Sequence, residues 1–118
     1  LAAYTAFKMM ERKNPKLDLY NLLRLPDEDT TIDYEEFKKA WKKLRKRILK
    51  LESKGKVGVA DHLKVKANEA IEQGVANLGM YHAQRPLVKK GEKIIIQDMN
   101  TLYYYHNRME GYGLEKHI

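Results

Sequence analysis

The sequence predicts an all-α protein, a small helical domain with an antiparallel helix pair followed by a C-terminal extended arm and helix. Apolar residues recur at helical spacing through 33–51, 61–81 and 98–110. The chain has 118 residues, of which 43% are hydrophobic, and this suits one domain with a modest core. We therefore expect a helical domain over residues 1–86 and a docking arm over residues 87–118.

Two short helices are predicted to begin the chain. The period of residues 2–12 predicts the first helix, which the Asn14-Pro15 pair interrupts. The compact apolar segment 18–25 predicts the second helix, and Pro26 ends it because proline cannot continue the helical hydrogen bonds. The apolar side of the first helix is expected to consist of Ala3, Phe7 and Met10.

The helix over residues 33–51 has the clearest start signal. Asp33 is placed to cap it, and Glu36 follows three residues later, as in a capping box. Ile32 and Phe37 flank the cap at the positions of a hydrophobic staple. Acidic residues in the first turn and basic residues towards the end also suit the helix dipole. These signals together predict a stable helix with a defined beginning.

A further helix, over residues 61–81, is predicted to pack antiparallel against 33–51. Pro86 marks the next boundary. After it, residues 93–97 are interpreted as either a short strand or an extended arm, and residues 98–110 return to helical spacing. In the predicted pair, Trp41, Leu44 and Ile48 are expected to face Leu63, Ala67 and Ile71.

The positive charge of the chain is concentrated in one block. The net charge is +7, whereas residues 38–66 contain twelve Lys or Arg and two acidic residues, a net +10 that leaves −3 for the rest. Such a block suits an acidic protein partner, an anionic lipid surface or nucleic acid. The candidate partner-binding face consists of Lys38, Lys39, Lys42, Lys43, Arg45, Lys46, Arg47 and Lys50.

Composition excludes several classes of protein. The chain contains no cysteine, so a disulfide scaffold and a cysteine-based zinc site are excluded, and an intracellular reducing compartment is expected. No apolar run approaches the ~20 residues needed to span a bilayer, so no transmembrane segment is expected. The first residue is Leu1 and not Met, and the sequence leaves open whether a leader was removed before it.

No pattern of residues predicts catalysis. Residues 25–36 resemble an EF-hand calcium loop, but Leu25 stands at the first ligand position and Thr30 at the sharp turn that requires glycine. The four histidines show no paired ligand spacing. Neither a nucleophile with a supporting motif nor a phosphate-binding glycine loop is present. We therefore expect no enzymatic activity, no cofactor and no metal.

Residues 18–81 resemble a J-domain, the helical module of DnaJ-type co-chaperones. Segment 18–25 (DLYNLLRL) is similar to its first helix, 35–44 (EEFKKAWKKL) to its basic second helix, and 67–71 (ANEAI) to its third. In J-domains a His-Pro-Asp tripeptide follows the second helix and is required to stimulate the partner chaperone's ATPase. Here Leu49-Lys50-Leu51 stands in its place. The resemblance therefore implies a J-like fold reused for docking, without the family's activity.

This resemblance leads to an expected function. J-like proteins without the tripeptide occur as structural parts of mitochondrial import and membrane complexes. We expect a non-catalytic accessory or assembly subunit of such a complex, with a mitochondrial location as one option. Two alternatives stay open: a basic RNA- or DNA-binding protein such as a ribosome-associated subunit, and a degenerate J-like co-chaperone regulator. The residues expected to dock in the arm are Ile94, Ile95, Ile96, Leu102, Tyr103, Tyr104 and Tyr105.

Overall fold

The structure, a computed structural model, describes residues 1–53, 67–77, 85–111 and 113–114. In these ranges the chain forms five α-helices and a three-stranded antiparallel sheet. The helices are α1 (Ala2–Lys13), α2 (Leu19–Leu22), α3 (Tyr34–Ser53), α4 (Ala67–Asn77) and α5 (Met99–His106). The strands are β1 (Thr31–Asp33), β2 (Leu87–Lys90) and β3 (Lys93–Ile96), and 3-10 turns occupy Asp27–Asp29 and Asn107–Met109.

The prediction of an all-α fold is wrong, because the three strands form a sheet in the order β1-β3-β2. In β3, Ile94 and Ile96 are buried, while Ile95 between them is partly exposed. This alternation is the period of a strand that packs one face on a core. The extended conformation buries both isoleucines on one side, which helical spacing could not do for residues two apart.

The hairpin between β2 and β3 turns at Gly91 and Glu92. Lys90 pairs with Lys93 across the turn, so the connection is two residues long. Gly91 has a φ of 60°, a conformation that strains any residue with a side chain. Among the described residues no non-glycine has a positive φ, so the turn follows the type II′ pattern with glycine first. This turn fixes the register of the two strands.

The pairing of β1 with β3 joins distant parts of the chain into one core. Ile32 pairs with Ile94, and the backbone N–H of Ile96 donates to the carbonyl of Thr30 at 2.9 Å. The hydroxyl of the buried Thr30 in turn donates to the carbonyl of Ile96 at 2.8 Å. The chain after residue 87 therefore shares its core with the N-terminal helices, instead of forming a separate arm.

Helix α1 is a core helix that contacts α3, α4, α5 and β1. The predicted apolar side is confirmed, since Ala3, Phe7 and Met10 are all buried. Tyr4 and Thr5 are buried as well, so most of the first two turns of α1 lies inside the protein. The Thr5 hydroxyl satisfies its hydrogen-bonding capacity by donating to the carbonyl of Leu1 at 2.8 Å.

The predicted start of α3 is confirmed in detail. The backbone N–H of Glu36 donates to Oδ2 of Asp33 at 3.1 Å, which satisfies one of the free amides of the first turn. Ile32 and Phe37 on either side of the cap are both buried. Asp33 also ends β1, so a single residue closes the strand and opens the helix.

The buried side of α3 also follows the prediction. Trp41, Leu44 and Ile48 are buried in the main core, as is Ile71 of α4, and the two helices contact each other. Leu63 and the side chain of Ala67, the other expected partners, lie outside the described residues, together with 61–66 and 78–81 of the predicted helix.

The segment interpreted as a J-like first helix is short. Helix α2 has one turn, with Asp18 as its cap: the backbone N–H of Asn21 donates to Oδ1 of Asp18 at 2.9 Å. Leu22 is buried, but Leu19 is 42% exposed and Tyr20 is 62% exposed. Leu23 and Leu25 pack against the core beside Leu22, so only Leu19 and Tyr20 leave large apolar side chains exposed in this segment.

Truncation of Ile94 tests its placement in the core. Ile94→Ala should lower the free energy of unfolding by about 2–5 kcal/mol, because it removes buried methyl groups from the central strand. Tyr104→Ala serves as the control, since that side chain is 64% exposed, and should change stability by less than about 1 kcal/mol. Urea unfolding followed by circular dichroism measures both, and equally small effects would contradict the core position of Ile94.

Removal of the α3 cap is a second test. Asp33→Ala should lower the free energy of unfolding by about 1 kcal/mol, because the amide of Glu36 loses its acceptor. Asp33→Asn should retain most of the stability, since the asparagine side-chain oxygen also caps a helix. A loss of equal size in both variants, measured by thermal unfolding, would show that the carboxylate charge and not the cap matters.

Candidate functional site

The structure divides the predicted basic face of α3 into two groups. One group, exposed to solvent, is called the lysine stripe here. The other is partly buried at the flanks of the helix. The lysine stripe consists of Lys39, Lys42, Lys43, Lys46 and Lys50, and the flanking group consists of Lys38, Arg45 and Arg47.

Helical periodicity explains this division. Each residue of an α-helix turns by about 100°, so Lys39, Lys43, Lys46 and Lys50 follow each other along one side as i, i+4, i+7 and i+11. Together with Lys42 they fall within about 100° of arc, opposite the buried side of α3. At about 1.5 Å per residue, the stripe from Lys39 to Lys50 is about 17 Å long.

The flanking residues serve local packing. Lys38 forms an ion pair with Glu35, with its Nζ 3.4 Å from Oε1, and its Nζ also lies 5.5 Å from the centre of the Tyr34 ring. The guanidinium of Arg45 lies 6.0 Å from the ring of the buried Trp41. These contacts allow cation–π attraction and cover the edges of the core with aliphatic side-chain stems.

Most of the stripe is not neutralised within the described part of the chain. No ion pair there joins Lys39, Lys42, Lys43 or Lys46 to a carboxylate. Like charges about one helical turn apart repel each other, so the stripe would be favoured by an acidic surface placed against it. It is the largest group of like charges described on this fold, and it is our candidate functional site.

The residues predicted to form a docking arm take a different place. Ile94, Ile96 and Leu102 belong to the core of their own chain, because β3 pairs with β1 and α5 packs on α1. Their apolar area is therefore already buried and does not serve a neighbour. Ile95, Tyr103 and Tyr105 are partly buried, and Tyr104 alone of the seven is exposed.

Tyr104 extends from the outer side of α5 beside a second tyrosine and an arginine. Its ring meets that of Tyr105 edge to face, with centroids 5.5 Å apart. The guanidinium of Arg108 lies 6.0 Å from the Tyr104 ring and 5.2 Å from the Tyr105 ring. Consecutive residues point in different directions on a helix, so Tyr103 and Tyr105 pack against the core while Tyr104 is exposed.

Sequence analysis did not find a buried polar cluster around His106. The imidazole is 3% exposed and stacks on the ring of Phe7, with centroids 4.3 Å apart. Its Nδ1 lies 2.6 Å from the carbonyl oxygen of Tyr103 and its Nε2 lies 2.9 Å from Oε1 of Glu110. A carbonyl only accepts, so Nδ1–H is the donor there.

Glu110 connects this cluster to α1. Its Oε1 also lies 2.7 Å from Nζ of Lys8. Burial disfavours the charged carboxylate, but the hydrogen bonds and charges of Lys8 and His106 outweigh it and lower the pKa of Glu110. For Lys8, burial likewise favours the neutral amine, but Glu110 and Glu11 outweigh it and raise the pKa of the ammonium. The cluster therefore ties the chain after α5 to the first helix.

These groups do not form a metal centre. Among the described residues, no three His, Asp or Glu side chains are close enough to hold a metal ion. His62, His82 and His117 lie outside the described residues. The acidic segment compared with a calcium loop forms the 3-10 turn Asp27–Asp29 followed by β1. Within the same described ranges, no helix has the length and apolarity needed to cross a membrane.

Comparisons with known proteins do not identify the chain. No family model matches it, and neither curated proteins nor solved structures provide a match. The J-domain resemblance of residues 18–81 therefore stays a prediction, and the candidate function is argued from the geometry of the chain itself.

The ionised state of Glu110 gives a pH dependence of stability. Because its pKa is lower in the folded protein than the ordinary value of 4.5, Glu110 stabilises the fold above that value, and the contribution is lost as pH falls through the folded pKa. Stability should therefore decrease as pH falls from neutral to below about 4.5, and Glu110→Gln should make this decrease smaller. Urea unfolding across this range measures the effect.

Glu28→Gln is the matched control for this experiment. It removes the same charge at an exposed carboxylate and should leave the acid dependence of stability close to that of the unaltered chain. If Glu110→Gln and Glu28→Gln follow the same pH profile, the cluster of Lys8, Glu110 and His106 does not stabilise the fold.

Proposed function

We propose that this protein is a non-catalytic binding subunit that docks onto an acidic surface of a partner protein through the lysine stripe of α3. The observation that carries the proposal is the exposure of Lys39, Lys42, Lys43 and Lys46 on one side of a single helix, without ion pairs in the described part of the chain. The opposite side of the helix is fixed in the core, so the charges are presented on a rigid support.

An acidic protein suits this surface better than nucleic acid does. Single-stranded nucleic acid is bound by a basic groove combined with aromatic side chains on which bases stack. The aromatic residues of α3, which are Tyr34, Phe37 and Trp41, are all buried, and the exposed part of the stripe contains lysine alone. Arg45 and Arg47, which offer the planar geometry that suits phosphate, are withdrawn to the flanks.

One observation favours the second candidate, a nucleic-acid-binding protein. Tyr104 is 64% exposed next to Arg108, an arrangement on which a base could stack. It lies on α5 and not on the helix of the lysine stripe. Membership of a mitochondrial complex and a regulatory J-like role also stay predictions, since they rest on the sequence resemblance alone.

Charge reversal in the stripe tests the proposal. The tagged full-length chain is purified from cells that naturally express it, with nuclease treatment, together with the double variant Lys42→Glu/Lys46→Glu. We expect acidic proteins to copurify with the unaltered chain even after nuclease treatment. The amount of these proteins should decrease at least about tenfold with the variant, because charges that steer association are reversed.

The control is Lys16→Glu/Lys90→Glu, which changes the net charge equally at two exposed positions outside α3. The amount of acidic protein that copurifies with this control should equal that with the unaltered chain. The unaltered chain and the two double variants are then titrated with poly(U) RNA at several salt concentrations. The proposal fails if nuclease removes all copurifying protein and the stripe variant, but not the control, loses salt-sensitive RNA binding.

A further inference from the structure

A cleft separate from the lysine stripe lies between α4, β2 and the first turn of α3. Its volume is about 290 Å³, at the small end of the range of ligand-binding pockets. The walls are mainly apolar, and four of the described residues that line the cleft have polar side chains. The apolar lining consists of Val75, Ala76, Leu87 and Val88, and the polar lining consists of Tyr34, Glu72, Arg85 and Lys89.

Glu72 and Arg85 carry opposite charges on this cleft, yet neither forms an ion pair within the described chain. Both side chains are exposed, so each is hydrated and accessible to a ligand. Two opposite charges that line one space without contacting each other are matched by a molecule that carries both charges itself. The apolar lining residues disfavour a ligand that is charged throughout.

Tyr34 is the most buried of the polar residues that line the cleft. It is 7% exposed, and Nζ of Lys89 lies 4.4 Å from the centre of its ring. Burial raises the pKa of the phenol, and the charge of Glu72 raises it further against the opposing effect of Lys38. The hydroxyl therefore stays protonated at neutral pH and can donate a hydrogen bond. Of the two cations in the lining, the guanidinium of Arg85 matches a carboxylate better than the ammonium of Lys89 does, because it can form two parallel hydrogen bonds.

We propose that this cleft binds a small zwitterion, a free α-amino acid with a short apolar side chain. Arg85 binds the carboxylate, since the guanidinium is suited to two parallel hydrogen bonds with it. Glu72 accepts hydrogen bonds from the ammonium group, and the apolar side chain lies against Val75 and Leu87. The inference is independent of the lysine stripe, because none of its five lysines lines the cleft.

L-Leucine is the probe, and two analogues of the same shape separate the two charges. In 4-methylpentanoate the ammonium is absent, and in 3-methylbutylamine the carboxylate is absent. Binding to the full chain is followed by the chemical shifts of backbone amides and by calorimetry. We expect saturable binding of L-leucine in about the millimolar range, with shifts at α4 and β2, and binding of each analogue weaker by at least about tenfold.

Two variants assign the charges to residues. Glu72→Gln should weaken L-leucine about tenfold and leave 4-methylpentanoate unchanged, whereas Arg85→Gln should weaken L-leucine and leave 3-methylbutylamine unchanged. Both side chains are exposed, so neither variant should unfold the protein, and circular dichroism verifies this. Lys46→Gln, on the lysine stripe, is the control and should bind L-leucine like the unaltered chain.

Three results would overturn the inference. The first is the absence of saturable L-leucine binding, and the second is a set of amide shifts that lies away from the cleft. The third is binding in which both analogues equal L-leucine, because then the opposite charges of Glu72 and Arg85 do not act together. None of these results bears on the proposed function of the lysine stripe, because that proposal is tested by copurification of acidic proteins with variants of Lys42 and Lys46.

Discussion

The rest of the structure depends on the hydrogen bonding of β3 along both of its edges. On one edge it pairs with β2 through a two-residue turn, and on the other it pairs with β1, which lies far away in the sequence. Helix α3 begins where β1 ends, and at this junction the backbone N–H of Tyr34 donates to the carbonyl of Glu92 at 2.8 Å. This junction sets the direction of α3, and with it the side on which the lysines are exposed.

Local sequence signals predict the helices and allow a short strand at residues 93–97, but they do not predict the sheet that this strand forms with β1 and β2. The boundaries of α1 and α3 follow from apolar periodicity, a cap at Asp33 and proline positions, all of which act locally. Strand β1 is three residues long, too short to show a period, and its partner is determined by tertiary packing. One local signal was present: Gly91-Glu92 between the apolar and lysine residues of β2 and β3 is a Gly-X hairpin turn.

The candidate sites show the same limit. The eight basic residues of α3 were predicted to form one partner-binding face, but exposure separates them, because Lys38, Arg45 and Arg47 lie nearer the buried side. The angular positions of these three residues around the helix axis, counted from the buried side, already place them at the flanks. The cluster of Lys8, His106 and Glu110 joins the two ends of the chain, and the cleft joins α3, α4 and β2. No local pattern encodes either arrangement.

The two outer strands of the sheet have a consequence for solubility. Open strand edges can recruit strands from other molecules, and proteins counter this with short edges, lysines and covering helices. Here one edge strand is only three residues long and is followed directly by α3. The other ends in the exposed Lys89 and Lys90 and contacts α4. The short edge, the lysines and the neighbouring helices thus oppose edge-to-edge pairing of the sheet with other molecules.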